Sequence, residues 1–346
     1  MLVTPLFQLN FSHSFSMTLP LDSDLNPLLV QQKSQVARDI WQFKLFHPDG
    51  AALPVFTAGA HISVQTPGGQ RRNYSLCNDP AVTEYCEITV KLEPHGRGGS
   101  KSMIEQVQVG DLLPVSAPKN DFGMVDPDQD AIFIAGGIGV TPLLAMARHM
   151  SRHKQNGGLG HFRFYYCARD PEGAAFMPEL QSLQNAGEVS FHFDGGNPDM
   201  GLDFWPLLEK PSQAHIYCCG PQGLMDAVKD MSGHWPQGRV HFESFGVSAP
   251  LQSIESSPFK VKLSRSNEIL QVASNESLLE ALRRAGHKVP SSCESGTCGS
   301  CKTSLLSGNV DHRDLVLTAT EKTNYVMVCV SRGTSDLESD LIEIDL

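Results

Sequence analysis

Residues 291–301 have the sequence SSCESGTCGSC and carry three cysteines in the spacing Cys-x4-Cys-x2-Cys. A fourth cysteine, Cys329, follows later in the chain, and the other five of the nine cysteines are scattered through apolar or strand-like segments. In a chain without a secretion signal, grouped cysteines indicate metal or redox chemistry rather than disulfides. The stretch therefore predicts a metal centre in the last part of the chain.

The spacing of these cysteines is typical of a plant-type [2Fe–2S] ferredoxin. Such a cluster takes four thiolates, and a short loop supplies three of them only by wrapping tightly around the cluster. Gly296 and Gly299 suit that loop, because a residue without a Cβ lets backbone N–H groups approach the sulfurs. A structural zinc site is the alternative, but zinc loops usually pair two Cys-x2-Cys hooks and this sequence has one. The predicted cluster ligands are Cys293, Cys298, Cys301 and Cys329.

Composition limits the class of protein. The chain has 346 residues, 40% of them hydrophobic and 19% charged, which suits two or three globular domains. A net charge of −11 argues against nucleic-acid binding, because phosphate contacts need a basic face. Residues 1–32 contain no Lys or Arg, so the positive start of a secretory signal is missing, and no apolar run is long enough to span a bilayer. We expect a cytoplasmic protein with no membrane contact.

The sequence pattern divides the chain into five segments. Residues 1–25 are rich in Ser, Phe and Leu and are predicted to be a disordered extension. Residues 26–126 carry, from about Val36 on, short alternating segments separated by Pro/Gly/Asn/Asp clusters, which predict an antiparallel barrel or sandwich. Residues 127–247 alternate apolar strand-like runs with helical segments, which is typical of an α/β domain with a parallel sheet. The Ser- and Pro-rich residues 248–258 are a predicted linker to a last domain at 259–346.

Two Gly-containing turns join predicted strands to predicted helices in the α/β segment at 127–247. Residues 136–142, GGIGVTP, follow a buried apolar run and open a helix, whose free N–H groups and dipole would attract a diphosphate. Residues 219–221, CGP, form a second turn of this kind. The first turn lacks the G-x-G-x-x-G fingerprint, so a plain Gly-rich turn is its alternative interpretation. Asp170 closes a further strand and would suit a free ribose hydroxyl, which favours NADH over NADPH, although Arg169 stands beside it.

The cysteine stretch, followed by DHRD at residues 311–314, resembles the ferredoxin domain of the phthalate dioxygenase reductase family, to which the vanillate demethylase and carnitine monooxygenase reductases also belong. The similarity runs from about Val36 to the C-terminus. It implies an FMN-binding antiparallel β-barrel, an NAD-binding α/β domain and a plant-type ferredoxin domain of α+β (β-grasp) fold. It also implies an NADH-oxidising reductase that passes electrons through FMN and a [2Fe–2S] cluster to a Rieske-type oxygenase acting on an aromatic acid. Nothing in the spacing separates FMN from FAD, so FMN rests on the resemblance.

The resemblance also implies a flavin site. Residues 72–75, RNYS, match the superfamily's Arg-x-Tyr-Ser signature, in which the arginine neutralises the flavin phosphate, the tyrosine packs by the ring and the serine lies near the reactive nitrogen. Residues 96–100 resemble the phosphate-binding turn, whereas without the resemblance they would be a plain surface turn. The implied FMN contacts are Arg72, Asn73, Tyr74, Ser75, Thr89, Val90, Lys91, Gly98, Gly99, Ser100, Thr141 and Phe245.

The resemblance implies the nicotinamide site in the same way. Cys219 would lie beside the nicotinamide, and Gly220 and Pro221 would shape the turn that holds it. Ser75 and Cys219 are the predicted catalytic residues. The predicted NADH contacts are Gly136, Gly137, Gly139, Thr141, Pro142, Asp170, Cys219, Gly220 and Pro221.

A flavin is needed in this scheme because a hydride carries two electrons whereas the cluster accepts one at a time. Three other functions are compatible with parts of the pattern. The reductase could serve a diiron monooxygenase, but those reductases usually carry the ferredoxin domain first. A redox sensor would not need the flavin and nicotinamide signatures, and a zinc-filled scaffold would be colourless. Selectivity for the aromatic acid lies in the oxygenase, so vanillate, terephthalate or carnitine oxygenases are alternative partners.

Overall fold

A computed structural model describes residues 24–346 except 95, 97, 185, 246–256, 275, 292–295, 297–298, 315, 319 and 335–340. The part of the chain that it describes contains no helix long and apolar enough to cross a membrane. The predicted linker at 248–258 falls mostly outside the described residues, and Ser257 and Pro258 lead directly into the first strand of the third domain.

The first domain is an antiparallel barrel. Its sheet order is β4-β3-β6-β1-β2-β5, and a bridge between Leu76 and Ile88 joins the two edge strands, so the barrel rather than the sandwich is confirmed. Inward side chains such as Phe43 and Leu45 form its core. The elements are β1 (Leu25–Ala37), β2 (Ile40–Phe46), β3 (His61–Gln65), β4 (Arg71–Ser75), β5 (Tyr85–Lys91), α1 (Gly99–Gln106) and β6 (Leu112–Ser116).

Strand β1 begins at Leu25, so the predicted disordered extension of residues 1–25 is wrong at its C-terminal end. Leu25 pairs with Ser116 of β6, and the Asp24 carboxylate accepts hydrogen bonds from the Arg71 guanidinium at 2.6 and 3.3 Å. Register shifts along β1, where bulges interrupt its pairing with β2, break the alternation of buried and exposed residues. This is why the sequence pattern predicted strands only from Val36 on. Residues 1–23 lie outside the described residues.

The second domain is a five-stranded parallel sheet of order β11-β10-β7-β8-β9. All six residues of its central strand are buried, as expected for a strand that is covered on both faces. Helix α2 packs on one face, and α4 and α5 pack on the other. The elements are β7 (Ala131–Gly136), α2 (Val140–Gln155), β8 (Phe162–Ala168), α3 (Met177–Ser182), β9 (Gly187–Phe193), α4 (Trp205–Leu208), β10 (His215–Cys219), α5 (Gln222–Met231) and β11 (Val240–Glu243).

The strand order of this sheet determines where a ligand binds. The chain runs outward from β7 to β8 and β9 on one side and then returns to β10 on the other. Loops that leave two neighbouring strands in opposite directions open a crevice at the carboxyl ends of those strands, and ligands of such sheets bind there. The two Gly-containing turns, 136–142 after β7 and 219–221 after β10, form this crevice.

The third domain is the predicted α+β (β-grasp) ferredoxin fold. Its sheet order is β13-β12-β18-β14-β16, and α6 covers one face with four buried residues. A capping box begins α6, in which the Ser277 hydroxyl and the Glu280 carboxylate satisfy each other's backbone N–H groups. The elements are β12 (Phe259–Leu263), β13 (Ile269–Val272), α6 (Leu278–Arg284), β14 (Lys302–Ser307), β15 (Val310–Asp311), β16 (Tyr325–Met327), β17 (Arg332–Gly333) and β18 (Leu341–Ile344).

The barrel and the parallel sheet share a core. Ile40, Ala58, Cys77 and Phe122 of the barrel pack in one apolar cluster with residues of the second domain. The Tyr217 hydroxyl of β10 accepts a hydrogen bond of 2.9 Å from the backbone N–H of Val125, which lies in the connection between the two domains. The crevice is therefore walled by the barrel on one side and by the sheet on the other.

Candidate active site between the barrel and the parallel sheet

Three buried side chains meet where the barrel faces the sheet. Ser75 ends β4, Cys219 ends β10 and Glu243 ends β11, and Cys219 and Glu243 are paired in the parallel register of the sheet. The Ser75 hydroxyl donates a hydrogen bond of 3.4 Å to Oε2 of Glu243. The structure thus brings the two predicted catalytic residues together through an acidic residue to which the sequence analysis gave no role. An acidic residue closing an apolar strand at the carboxyl edge of a parallel sheet is the signal that identifies it.

Cys219 is a neutral thiol in this site. Burial raises the pKa of Cys219 well above the usual range, and the negative charge of Glu243 raises it further. A thiol that does not ionise is a poor nucleophile, because the thiolate is the reactive form. Cys219 is therefore a small, polarizable and uncharged side chain at the end of β10.

The two turns of the crevice are packed directly against each other. A Cβ on Gly139 would lie 2.1 Å from the Cys219 carbonyl oxygen, and one on Gly136 would lie 2.5 Å from Cδ of Pro221. A Cβ on Gly220 would meet Gly136 at 2.9 Å. These three predicted nucleotide contacts are therefore glycines because the turns touch. A Cβ on Gly137, by contrast, would face open space, so the backbone there is accessible to a ligand.

The first residues of α2 stabilise the N-terminus of this helix, which lies beside the two turns. The Thr141 hydroxyl donates a hydrogen bond of 3.1 Å to the Ile138 carbonyl, and Pro142 is buried in the first turn of α2. Thr141 therefore shapes the turn. The Val140 N–H donates to the Gly137 and Ile138 carbonyls and Pro142 has no N–H, so α2 would offer a phosphate its dipole rather than a full set of free N–H groups.

We expect Gly139→Ala to lower the free energy of unfolding by about 1–3 kcal/mol, the usual cost of forcing extra atoms into a packed site. Denaturant unfolding of the purified protein measures this change. The matched control is Gly223→Ala in α5, where a Cβ meets open space and alanine favours the helix. Equal unfolding midpoints for the two variants would contradict the packing explanation.

Arg72, at the opposite end of the RNYS stretch from Ser75, forms a cationic cradle with the first turn of α1. Gly98 precedes α1 with a φ of +89°, and a Cβ on Gly99 would lie 3.1 Å from both Cγ and Nε of Arg72. The guanidinium stem therefore crosses the first turn of the helix. The Ser100 hydroxyl in the same turn accepts a hydrogen bond of 3.0 Å from the Glu93 N–H. A guanidinium beside free N–H groups suits a phosphate, so the cradle fits the phosphate end of a flavin.

Asn73 and Tyr74 lie on β4 between Arg72 and Ser75, and Thr89 lies on β5. Burial raises the pKa of Tyr74, so its half-buried ring carries a neutral hydroxyl. Asn73 accepts a hydrogen bond of 2.6 Å from the Ser63 hydroxyl, and Thr89 bonds with the Cys77 sulfur at 3.4 Å.

Three further predicted contacts differ in what they present. The Val90 side chain is part of the barrel core, so only its backbone can face a ligand. Lys91 is exposed and pairs with Glu93 at 3.3 Å. Phe245 is half-buried and packs on the core that the two domains share.

Asp170 already has partners for both carboxylate oxygens. Oδ1 accepts a hydrogen bond of 2.8 Å from the Gly173 N–H, and Oδ2 lies 2.5 Å from Nη2 of Arg38 in the turn between β1 and β2. The bond from Arg38 is the main cause of a lowered pKa, so Asp170 is ionised. The carboxylate predicted to select the ribose is thus also a link between the two domains.

Two of the four predicted cluster ligands lie in the described part of the ferredoxin domain. Cys301 and Cys329 are buried in the core of that domain. Gly296 and Gly299 have φ values of +77° and +80°, and a Cβ on Gly296 would lie 2.8 Å from Cγ2 of Val330. Gly296 therefore lies against the residue that follows Cys329. Cys293 and Cys298 lie outside the described residues.

Comparisons with known proteins agree with this geometry. Three family models match the chain: an oxidoreductase FAD-binding domain at 27–123, an oxidoreductase NAD-binding domain at 133–194 and a 2Fe-2S iron-sulfur cluster binding domain at 261–334. Phthalate dioxygenase reductase of Burkholderia cepacia is 50% identical over 92% of this chain and 98% of its own. The phthalate 4,5-dioxygenase oxygenase reductase subunit of Pseudomonas putida is 49% identical over 92% of this chain and 97% of its own.

A solved structure agrees over the same span. It is described as phthalate dioxygenase reductase, a modular structure for electron transfer from pyridine nucleotides to [2Fe–2S]. It matches with 48% identity and a TM-score of 0.74 over 93% of this chain and 98% of that one.

The fold and the site define a modular oxidoreductase with a flavin domain, a pyridine-nucleotide domain and a C-terminal [2Fe–2S] ferredoxin domain. The predictions of fold, enzyme class and cofactor types are confirmed. The chain belongs to the phthalate dioxygenase reductase family. The assignment of individual residues to these cofactors stays a prediction.

Proposed function

We propose that this chain is the NADH-oxidising reductase component of a Rieske-type oxygenase system that acts on an aromatic acid of the phthalate type. The observation that carries the proposal is the junction of Ser75, Glu243 and Cys219, where the end of β4 in the barrel meets the carboxyl edge of the parallel sheet. The relatives named for phthalate oxygenases cover nearly the whole chain. A cytoplasmic location, where NADH and a reducing environment are supplied, is part of the proposal.

In this function a bound flavin would supply the conversion between one two-electron transfer and two one-electron transfers. The chain's own residues bind and orient the reactants. Arg72 and the first turn of α1 would hold the flavin phosphate, and the Ser75 hydroxyl, bonded to Glu243, would present a polar group at the reacting edge. Ser75 and Glu243 are buried, which would limit the access of water to the reacting edge and protect a hydride from side reactions.

FMN is the proposed flavin. The matching family model is described as FAD-binding, so the choice of FMN depends on the resemblance to the phthalate dioxygenase reductase family. Identification of the flavin released by denaturation decides between the two.

A second candidate is the same electron chain serving a vanillate oxygenase. The vanillate O-demethylase oxidoreductase of a Pseudomonas strain is 38% identical over 89% of this chain. Reconstitution with phthalate and vanillate oxygenase components separates the two candidates, because only the cognate pair should couple NADH oxidation to product formation.

Anaerobic titration with NADH tests the function. We expect the flavin absorbance to bleach together with partial loss of the iron–sulfur bands, and NADPH to act more weakly than NADH. If NADH bleaches neither chromophore in a preparation that contains both, the chain is not an NADH-dependent reductase. Equal responses to NADH and NADPH would overturn only the proposed role of Asp170.

A further inference from the structure

Arg148 lies in a buried ionic network between the barrel and the parallel sheet. It belongs to α2, and its side chain is 15% exposed. Its Nη1 donates hydrogen bonds of 2.8 Å to Oε1 of Glu87 in β5 and of 2.5 Å to the backbone carbonyl of Cys77, which follows β4. Its Nε donates a hydrogen bond of 2.6 Å to Oε1 of Glu179 in α3. One guanidinium of α2 thus connects strand β5 and the segment after β4 in the barrel with helix α3 of the second domain.

The barrel side of this network leads directly to the flavin signature. The Cys77 sulfur contacts the Ser75 carbonyl at 3.7 Å and the Thr89 hydroxyl at 3.4 Å. The Cys77 N–H donates to the Glu87 carbonyl at 2.8 Å, so the backbone around the sulfur is also held. A displacement of the Cys77 carbonyl therefore moves Ser75 and Thr89, two predicted flavin contacts.

The sheet side of the network leads to the nicotinamide turn. Arg148 lies two helical turns after Thr141 on α2, whose first turn forms one wall of the crevice. A helix of this length is a rigid element, so a link at Arg148 determines how far its first turn stands from the barrel. Glu87 has a side-chain exposure of 3%, and its buried charge keeps the guanidinium in place.

We propose that Arg148 is a positioning residue that sets the distance between the nicotinamide turn of α2 and the flavin-contact strands β4 and β5. This inference rests on the proposed function, because it concerns the geometry of hydride transfer. Hydride transfer is steeply sensitive to the separation of the reacting atoms, and a misplacement of about 1 Å can reduce a rate by about a hundredfold.

The experiment compares the full-length holoprotein with the variants Arg148→Met, Arg148→Lys and Arg152→Met in anaerobic stopped-flow reduction by NADH. We expect Arg148→Met to slow flavin reduction by about tenfold or more and to weaken the nicotinamide–flavin charge-transfer absorption, with the Kd of NADH within about twofold. Arg148→Lys keeps the charge but lacks the planar fork, so it should recover part of the rate. It also provides the test if Arg148→Met does not fold.

Arg152→Met is the matched control, because Arg152 lies one turn further on the same helix and pairs with Asp79 of the barrel at 3.7 Å, with 49% of its side chain exposed. We expect wild-type rates for this variant. The proposal is overturned if the Arg148 variants reduce flavin as fast as wild type with an intact charge-transfer band, or if Arg152→Met loses as much rate. A wild-type protein that NADH does not reduce would instead overturn the proposed function.

Discussion

Replacing Cys301 by serine is expected to remove the [2Fe–2S] cluster while NADH still bleaches the flavin. Cys301 is 2% exposed at the start of β14, and a plant-type cluster needs all four thiolates. Without the cluster the electrons cannot leave singly by the normal route, so NADH-driven cytochrome c reduction should fall by about a hundredfold or more. Iron and acid-labile sulfide analysis and the rate of flavin reduction are the measurements.

Cys167→Ser is the control for this experiment. Cys167 is a partly buried cysteine of β8 in the nucleotide domain, outside the predicted ligand set. We expect it to retain a full complement of iron and sulfide. A Cys301→Ser protein with the same iron content as Cys167→Ser would show that Cys301 is not a ligand.

Replacing Arg72 by alanine is expected to produce a protein that loses its flavin on purification. The Arg72 side chain lies across the first turn of α1, where a Cβ on Gly99 would meet it at 3.1 Å. A hydrogen bond to a charged group contributes about 1.5–3 kcal/mol, which corresponds to about a tenfold to hundredfold increase in the Kd of the flavin. Isothermal titration of the apoprotein measures this Kd, and excess flavin should restore reduction by NADH.

Arg71→Ala is the matched control for the phosphate cradle. Arg71 is the neighbouring residue of β4, and its guanidinium bonds with Asp24 at the other side of the strand. Its removal should leave the flavin Kd within about twofold of wild type, since an exposed ion pair of this kind contributes little. Comparable flavin loss in both variants would mean that general destabilisation of β4, not the loss of a phosphate contact, explains the result.

Asp170, the predicted ribose contact, is also the partner of Arg38 in an ion pair between the two domains. The pair is half exposed on one side and one-third exposed on the other, so its contribution to stability is small. Its position matters more, because a ribose that bonds to Asp170 would share that carboxylate with a cation of the barrel. In that case nucleotide binding and the packing of the two domains would be coupled through one side chain.

Local patterns in the sequence determined much of this protein. The Cys-x4-Cys-x2-Cys stretch, the two Gly-containing turns and the capping box of α6 each depend on residues a few positions apart, so their geometry follows from short-range backbone rules. The order of strand-like and helical segments likewise predicted the three domains, because each segment buries one face in a characteristic period. The family resemblance runs from about Val36 to the C-terminus and therefore covers all three domains.

Only the tertiary structure decided which distant residues share the site. Ser75 and Glu243 are 168 positions apart, and Arg38 and Asp170 are 132 apart, so no local pattern predicts that they meet. The same holds for Arg148, which in the sequence is one arginine of a helix and in the fold joins two domains. Gly136, Gly139 and Gly220 were predicted as nucleotide contacts, whereas the structure shows that contact between the turns requires them. The physical reason is that such pairs depend on strand order and domain packing, which the whole chain determines and no short segment encodes.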